Sequence, residues 1–297
     1  MTSLAELEQR AKGDGAAAMA LAEAHLFGDF GKPDRAAAYR AVKQAASLGF
    51  EDGRRAWVYF TAAGIGCRAD WPAALAMLTE LAREDRFAAL QRAFLGHMSC
   101  HQRLGEVEPN ILSEDPYIAL YPGLFSVAEC RYLTILGTPW MEKASVLSLS
   151  GEARMDEVRD ASAAHIPPVA EDLVVQEINR CIAAATGTEP GWGEPLNILR
   201  YVPGQQYKPH HDGTSSDNVT PRELTALIWL NDEYRGGETD FPSIDVRVRG
   251  HTGDMLVFRN TLPDGSPDPR MIHAGLPVEE GVKWLASRWI RGVDFLK

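Results

Sequence analysis

The chain changes its hydrophobic pattern along its length, and this change limits the folds open to it. Up to about residue 100, alanine is abundant and apolar residues recur at helical spacing. From Leu196 onward, short β-rich segments alternate with Gly and Pro, at 197–202, 224–230, 245–249, 255–258 and 284–290. Several short strands separated by turn residues indicate a closed or sandwich-like β fold. The sequence therefore predicts an α + β chain, with a helical part followed by a β part.

The helical part repeats itself with an offset of 36 residues. Residues 20–28 align with 56–64, and residues 34–37 align with 70–73. Such a period is typical of helix-turn-helix solenoid units, and these segments resemble the short tetratricopeptide-related repeats of the Sel-one type. The resemblance implies a platform that binds a protein or peptide. A helical cap that only stabilises the rest of the chain is an equally open interpretation.

The length of 297 residues predicts two domains, because a single core rarely grows beyond about 250 to 300 residues. An acidic stretch with two prolines, 106–116, lacks periodicity and is predicted to be a linker. The predicted division is a helical repeat domain at 1–105, the linker, and a second domain at 117–297. Helical periodicity at 127–136 and 170–185 predicts flanking helices on the outside of this second domain.

A His-x-Asp pair and one distant histidine provide the ligands of a metal site. Because residues i and i+2 of a strand point to the same face, His210 and Asp212 are predicted to converge on one ion. His211 then projects to the opposite face, although it stays an alternative to His210. His273 begins a separate apolar segment and supplies the third ligand. Two imidazoles and one carboxylate leave open positions on iron and are typical of non-haem Fe(II) oxygenases.

Lys283 lies ten residues after His273, beyond a turn predicted at 279–281. A dicarboxylate that chelates the metal at one end needs a cation for its far carboxylate, and Lys283 is placed to reach back into the same cavity. A charged hydrogen bond of this kind is worth about 1.5 to 3 kcal/mol. The pattern therefore predicts 2-oxoglutarate (2OG) as cosubstrate.

From about Tyr117 to the C-terminus the chain resembles the 2OG- and Fe(II)-dependent dioxygenases of the prolyl 4-hydroxylase-like branch. The matching segments are 125–130, 201–212, 222–225, 236–242 and 264–268, which leads into His273. The resemblance implies a double-stranded β-helix, or jelly roll. It also implies Fe(II), 2OG and O2, with ascorbate as the reductant, and no catalytic side chain beyond the metal centre.

The resemblance assigns roles to residues that composition alone would place in a strand core. Tyr201 and Thr239 match positions that hydrogen-bond the 2OG carboxylates, and Trp289 matches one that packs near them. The polar loops at 213–221 and 259–270 flank the ligand segments, either as lids or as passive surface loops.

Four residues match positions that face the substrate in prolyl hydroxylases, namely Glu194, Tyr207, Arg222 and Arg159. Arg159 belongs to an Arg-x-Ser contact that is one residue longer in this chain, and Arg291 falls where some members carry a histidine. These departures leave the substrate open, while the ligand set keeps the chemistry intact.

Three functions follow from these patterns. The leading one is hydroxylation of a prolyl residue in a protein or peptide. In this hypothesis the helical repeats recruit the protein or peptide substrate. The second is hydroxylation of a free amino acid or other small metabolite. The third is an adaptor in which the repeats bind partners and the oxygenase domain senses metal or 2OG without turnover.

Bulk composition excludes other classes of function. A net charge of −11 argues against a nucleic-acid partner, since phosphate binding needs clustered Lys and Arg. The four cysteines show no metal spacing and are expected to be reduced thiols. No signal peptide and no apolar run of membrane length are evident. The sequence therefore predicts a cytoplasmic protein without a membrane partner.

Overall fold

A computed structural model of the chain describes residues 3–143, 145–147, 153–155, 160–213 and 220–295. The helices described there are α1 (Leu4–Ala11), α2 (Gly15–Phe27), α3 (Arg35–Ser47), α4 (Glu51–Ala63), α5 (Trp71–Leu81), α6 (Arg86–Leu95), α7 (Cys100–Leu104), α8 (Val127–Gly137) and α9 (Leu173–Thr186). Short 3-10 helices occur at Thr138–Trp140, Pro190–Trp192 and Pro269–Met271.

The strands lie after the first seven helices. They are β1 (Asn110–Ser113), β2 (Ile118–Tyr121), β3 (Glu142–Lys143), β4 (Ser145–Leu147), β5 (Ala153–Met155), β6 (Ser162–His165), β7 (Asn197–Tyr201), β8 (Tyr207–His210), β9 (Leu224–Trp229), β10 (Tyr234–Gly236), β11 (Thr239–Phe241), β12 (Val246–Val248), β13 (Met255–Arg259), β14 (His273–Gly275), β15 (Val278–Gly281) and β16 (Lys283–Ile290). The chain forms two compact units, Met1–Met98 with Pro167–Glu177, and Ser99–Ile166 with Ile178–Lys297.

The helices of the first unit follow the predicted period. Helices α2 and α4 begin and end 36 residues apart, and so do the starts of α3 and α5. Gly28 and Gly64 end α2 and α4 in the left-handed conformation, at φ of 77° and 78°, where a glycine avoids the strain of a side chain. Asp34 and Asp70 cap α3 and α5 by accepting backbone N–H bonds of 2.8 and 2.9 Å. The assignment to the Sel-one type stays a prediction.

The first unit differs from the predicted domain boundaries at its far end. Its apolar cluster contains Val58, Tyr59, Leu78 and Leu81, and also Leu173, which is fully buried at the start of α9. The first turns of α9 thus belong to the repeat unit, although they were predicted to lie on the second domain. Periodicity reveals which residues of a helix are apolar, but it cannot say which neighbour they pack against.

The predicted linker also differs from the structure. Within 106–116, strand β1 pairs antiparallel with β2, so that Asn110 lies opposite Leu120. The acidic, proline-containing composition of this stretch did not reveal β1, because its four residues are too few to show alternation and edge strands tolerate polar side chains. The second unit therefore begins before residue 117.

The second unit is a jelly roll. One sheet has eight strands in the order β1-β2-β13-β9-β16-β7-β6-β3, and another has four in the order β12-β11-β14-β8. The core draws from both sheets, with Leu227, Phe258 and Leu285 on the larger and Phe241 and Val248 on the smaller. Two short two-stranded sheets, β10-β15 and β4-β5, complete the strand pairing in the described residues.

The five β-rich segments expected from the sequence are all strands, and their ends agree within one residue. The turn expected at 279–281 is wrong, because these residues form the end of β15 and pair with β10. A single residue, Val282, separates β15 from β16, so that Lys283 is the first residue of β16. In the described part of the chain, no helix has both the length and the apolar character needed to cross a membrane.

Candidate metal and cosubstrate site

A small cavity of about 40 Å³ lies between the two sheets of the jelly roll. Its walls combine apolar residues with a few polar and ionisable ones. The lining residues are Leu199, Tyr201, Tyr207, His210, Asp212, Leu227, Thr239, His273, Gly275, Lys283, Leu285, Ser287 and Trp289. A mostly apolar cleft with a small number of converging polar groups is the usual form of a small-molecule site.

Strand register brings the three predicted metal ligands together. His273 on β14 lies directly opposite His210 on β8, and Asp212 follows β8 by two residues. The Nε2 atoms of His210 and His273 lie 3.5 and 3.6 Å from the two carboxylate oxygens of Asp212. One ligand atom from each residue lies within 4.8 Å of the other two.

The outer nitrogen of each histidine ring is already engaged. Nδ1 of His210 bonds the Lys208 carbonyl at 2.9 Å, and Nδ1 of His273 bonds the Met271 carbonyl at 3.0 Å. A carbonyl accepts, so each Nδ1 carries the proton and each Nε2 keeps its lone pair for a metal. This donor set fits Fe(II), because two neutral imidazoles and one carboxylate on one side of an ion leave its other side open.

The charge states of these groups also suit a metal. Burial lowers the pKa of His273 to about 4, so the ring is neutral at neutral pH. Burial would raise the pKa of the Asp212 carboxyl, but His273, His210 and Arg222 together hold it far below its ordinary range. Asp212 therefore stays ionised and His273 stays neutral, so these two ligands can bind a cation without losing protons.

Two residues that were not predicted as site residues orient the Asp212 carboxylate. The Thr225 hydroxyl donates to Asp212 Oδ2 at 2.8 Å, and Asn260 Nδ2 donates to the Thr225 hydroxyl at 2.9 Å. Thr225 and Asn260 are both fully buried. Thr225 stands in the 222–225 segment that carried the family resemblance, but its role needed the pairing of β9 with β13 to become visible.

His211 lies outside the cluster. Its Nε2 donates to the Asp268 carbonyl at 2.8 Å, since its Nδ1 accepts the Gly213 backbone N–H at 2.8 Å. The ring thus connects the residues after Asp212 with the loop before His273. This placement agrees with the prediction that His210, rather than His211, faces the metal.

Lys283 is buried in the same cavity as the metal ligands. Its side chain is 3% exposed, and in the described residues its Nζ donates one hydrogen bond, to the Gly237 carbonyl at 2.7 Å. Burial lowers the pKa of Lys283 to about 8, against an attraction from Glu238. A buried ammonium without a paired carboxylate is costly, and the far carboxylate of a bound dicarboxylate would pair with it.

Four other predicted residues line this cavity. Tyr201 faces Lys283 across the β7–β16 pair, with Nζ 5.7 Å from the Tyr201 ring centroid. Thr239 on β11 is buried, Tyr207 stacks on the ring of His210 at 3.4 Å between centroids, and Trp289 ends the β16 wall. Their individual roles stay predictions.

The remaining predicted residues lie elsewhere. Glu194 and Arg222 form an ion pair that does not line the cavity but contacts Trp289 on its wall. Arg159 and most of the loop 213–221 lie outside the described residues. The loop at 259–270 is described, and its Arg270 pairs with Asp268 and Asp115.

Comparisons with known proteins agree with this site. The profile of the 2OG-Fe(II) oxygenase superfamily matches residues 196–291. Prolyl 4-hydroxylase 1 of Arabidopsis thaliana is 32% identical over 208 residues, which cover 64% of this chain and 74% of that protein. Prolyl 4-hydroxylase 5 of the same organism is 31% identical over 215 residues, with 64% and 74% covered.

A solved structure shows the same fold. The viral collagen prolyl hydroxylase from Paramecium bursaria Chlorella virus-1, in complex with 2OG, is 25% identical and superposes with a TM-score of 0.50. The match covers 61% of this chain and 99% of that one.

The chain belongs to the 2OG-Fe(II) oxygenase superfamily. Among its relatives are prolyl 4-hydroxylases of 31–33% identity. It is an Fe(II)- and 2OG-dependent dioxygenase, whose bound iron supplies O2 activation coupled to oxidative decarboxylation of 2OG. The sequence prediction of this class, of the jelly roll and of the cofactors Fe(II), 2OG and O2 is confirmed.

Proposed function

We propose that the protein hydroxylates a prolyl residue of a protein or peptide. One substrate C–H bond, 2OG and O2 are converted to the hydroxylated product, succinate and CO2, with one oxygen atom in the product and the other in succinate. The support comes from the complete cavity, which holds the triad and Lys283 together, and from the prolyl 4-hydroxylase relatives. Ascorbate serves as the reductant that keeps the iron in its Fe(II) state.

The chain's own residues bind and orient the reactants. His210, Asp212 and His273 hold the metal from one side, and Thr225 fixes the Asp212 carboxylate. Lys283 pairs with the far carboxylate of 2OG, and the support is its buried side chain at the first position of β16, on the wall of the same cavity. Preorganised groups of this kind avoid a reorganisation cost at the moment of reaction.

The apolar walls of the cavity exclude water from the reacting atoms. Leu199, Leu227 and Leu285 supply these walls from three adjacent strands of the large sheet. Exclusion of water protects a reactive oxidant and strengthens the charged contacts of Lys283. Tyr201 on the larger sheet and Thr239 on the smaller sheet line the same cavity, and their hydroxyls are the proposed partners of the 2OG carboxylates.

The proposal is tested with a panel of proline-containing peptides and with free proline. The full chain is incubated with Fe(II), 2OG, ascorbate and O2, and the products are separated by mass spectrometry. We expect peptides to gain the mass of one oxygen atom with equimolar succinate. Oxidation of free amino acids alone would favour the small-metabolite alternative, and absence of any succinate would favour the adaptor alternative.

We also propose that the helical repeats recruit a protein substrate. The support is a groove on the repeat unit lined by Trp57, Val58, Met77 and Leu81, with ion-paired charges at Arg54 and Glu84. A Met77→Lys variant should lose hydroxylation of a protein substrate while it keeps that of a short peptide. Equal loss on both would argue for the stabilising cap. The cytoplasmic location stays a prediction.

A further inference from the structure

Two arginines share one carboxylate beside the cavity. Arg222 donates to Glu194 from Nε and Nη2 at 2.6 and 2.8 Å. Arg291 contacts the same carboxylate with Nε at 2.8 Å and Nη2 at 2.6 Å. In the described residues Glu194 is the carboxylate that pairs with either arginine, so the group carries one positive charge in excess.

The two arginines differ in their exposure and in which of their N–H groups already donate hydrogen bonds. Arg291 is nearly buried, with 10% of its side chain exposed, and its Nη1 donates to the Thr220 carbonyl. Arg222 has 22% of its side chain exposed, and its hydrogen bonds within the described residues use Nε and Nη2. Among the described residues, the Nη1 group of Arg222 is therefore the donor that remains for a ligand.

The contact with Trp289 places the Arg222 guanidinium next to the cavity wall. The Arg222 guanidinium carbon lies 3.8 Å from the centroid of the Trp289 ring, and Trp289 forms part of the cavity wall. The Trp289 indole N–H is buried and has no hydrogen-bond partner among the described residues. The bidentate pair with Glu194 and the stacked ring hold the guanidinium in one orientation.

We infer that Arg222 binds a carboxylate that the substrate carries next to the hydroxylated residue, and that Arg291 makes this possible by sharing Glu194. This inference rests on the proposed function. The carboxylate has two sources of the same chemistry. One is an Asp or Glu side chain adjacent to the proline in a peptide, and the other is the α-carboxylate of a C-terminal or free proline.

Arg291 determines the specificity because it sets the charge of the group. With a neutral side chain at position 291, Glu194 would neutralise Arg222 and no excess charge would face the substrate. Related enzymes that carry histidine there would lack this permanent charge, since arginine stays protonated at all working pH values. A charged pair of this type changes kcat/KM by about tenfold or more.

The test compares substrates that differ in one charge. Peptides with Asp or Glu beside the proline are paired with their Asn or Gln counterparts, and peptides ending in proline are paired with their C-terminal amides. For the wild type we expect kcat/KM about tenfold higher for the acidic member of at least one pair type. The pair type that shows the preference identifies the source of the carboxylate.

Three variants connect the preference to the arginine pair. Arg291→Gln should bring the acidic-to-neutral ratio of kcat/KM close to one, whereas Arg291→Lys should preserve the preference. Glu194→Gln should change the ratio in the opposite direction, because it adds to the excess charge. Glu194→Gln therefore tests the inference even if Arg291→Gln fails to fold.

Arg200→Gln is the matched control. Arg200 also lies over a tryptophan, with its guanidinium carbon 5.9 Å from the Trp284 ring centroid. Its neighbours Leu199 and Tyr201 line the cavity, so strand alternation directs Arg200 to the opposite face of the same sheet. This variant changes the net charge by the same amount and should leave the ratio unchanged.

Two kinds of failure can be told apart. Equal kcat/KM for the acidic and neutral members of every pair, with hydroxylation intact, would overturn the inference alone. Absence of hydroxylation of every peptide and of free proline would overturn the proposed function, and the inference with it. An equal loss of preference in Arg200→Gln and Arg291→Gln would also overturn the inference, because it would show an effect of overall charge.

Discussion

Replacement of Lys283 should stabilise the protein without 2OG and weaken its binding of 2OG. Burial moves the pKa of Lys283 from 10.5 to about 8, which corresponds to about 3 kcal/mol of cost for holding the charge at neutral pH. Lys283→Met removes this charge but leaves the Gly237 carbonyl without its donor, which costs about 1 kcal/mol. The variant should therefore be more stable by about 2 kcal/mol at pH 7.

The pH dependence has a defined sign. The folded pKa of about 8 lies below the ordinary value of 10.5, so between these values the unfolded chain holds the proton that the folded chain has lost. The free energy of unfolding of the wild type should rise with pH across this window relative to Lys283→Met. The cost is fully present below pH 8 and absent above 10.5.

The affinity for 2OG should change in the opposite direction. Loss of the charged pair costs about 1.5 to 3 kcal/mol, so the Kd of 2OG should rise about 10- to 150-fold in Lys283→Met. Lys283→Arg should also bind weakly, because its larger planar fork does not fit the ammonium position. In the wild type, the affinity should fall at pH values well above 8, where unliganded Lys283 loses its proton.

Two measurements check this prediction. Urea denaturation without 2OG, between pH 7 and 10, gives the stability difference. Anaerobic calorimetry with Fe(II) gives the Kd of 2OG, and retained Fe(II) affinity serves as the control for an intact fold. Wild-type 2OG affinity in both variants would show that the cation for the far carboxylate lies elsewhere. A large destabilisation of Lys283→Met would refute the cost assigned to the buried charge.

Three further predictions concern the metal ligands and the division into units. An alanine at any of the three triad positions should abolish Fe(II)-dependent succinate formation, whereas His211→Ala should still bind Fe(II). Iron titration separates the triad variants from His211→Ala. Loss of Fe(II) binding in His211→Ala, with retention in His210→Ala, would show that the wrong histidine was chosen. Thr225→Val removes the hydroxyl that donates to Asp212 and should weaken Fe(II) binding about tenfold, because the carboxylate loses the hydrogen bond that orients it toward the metal. Unchanged Fe(II) affinity would reject the orienting role of Thr225. Deletion of residues 1–98 exposes Leu173, which costs about 1.5 to 3 kcal/mol of burial free energy from that side chain alone. The shortened protein should therefore aggregate in sedimentation assays unless Leu173 is made polar. A soluble, stable product would contradict this prediction.

Local patterns were sufficient to predict much of the site. Two ligands two residues apart and a third at the start of an apolar segment predicted the grouping of His210, Asp212 and His273. The central strands of the large sheet were predicted because each is a run of apolar and β-branched residues. The 36-residue repeat predicted the helices of the first unit, since both repeats carry the same capping residues, Asp34 and Asp70.

Features that depend on distant pairing could not be predicted from the sequence. The Thr225–Asn260 hydrogen bond that supports Asp212 joins β9 to the residue that follows β13, and no local pattern reveals that pairing. The shared carboxylate of Glu194 depends on positions nearly 100 residues apart, 194 and 291. The short strands β8, β11 and β14 carry ligands and lining residues, but they contain too few residues to show alternation.

The most direct test of the account is hydroxylation under ¹⁸O-labelled dioxygen. The full chain is supplied with Fe(II), unlabelled 2OG, ascorbate and a proline-containing peptide that it turns over, and both products are analysed by mass spectrometry. The account predicts one labelled oxygen atom on the proline ring and one in succinate, in equal amounts. Succinate without a labelled product on any proline substrate, or labelled product formed without 2OG, would contradict it.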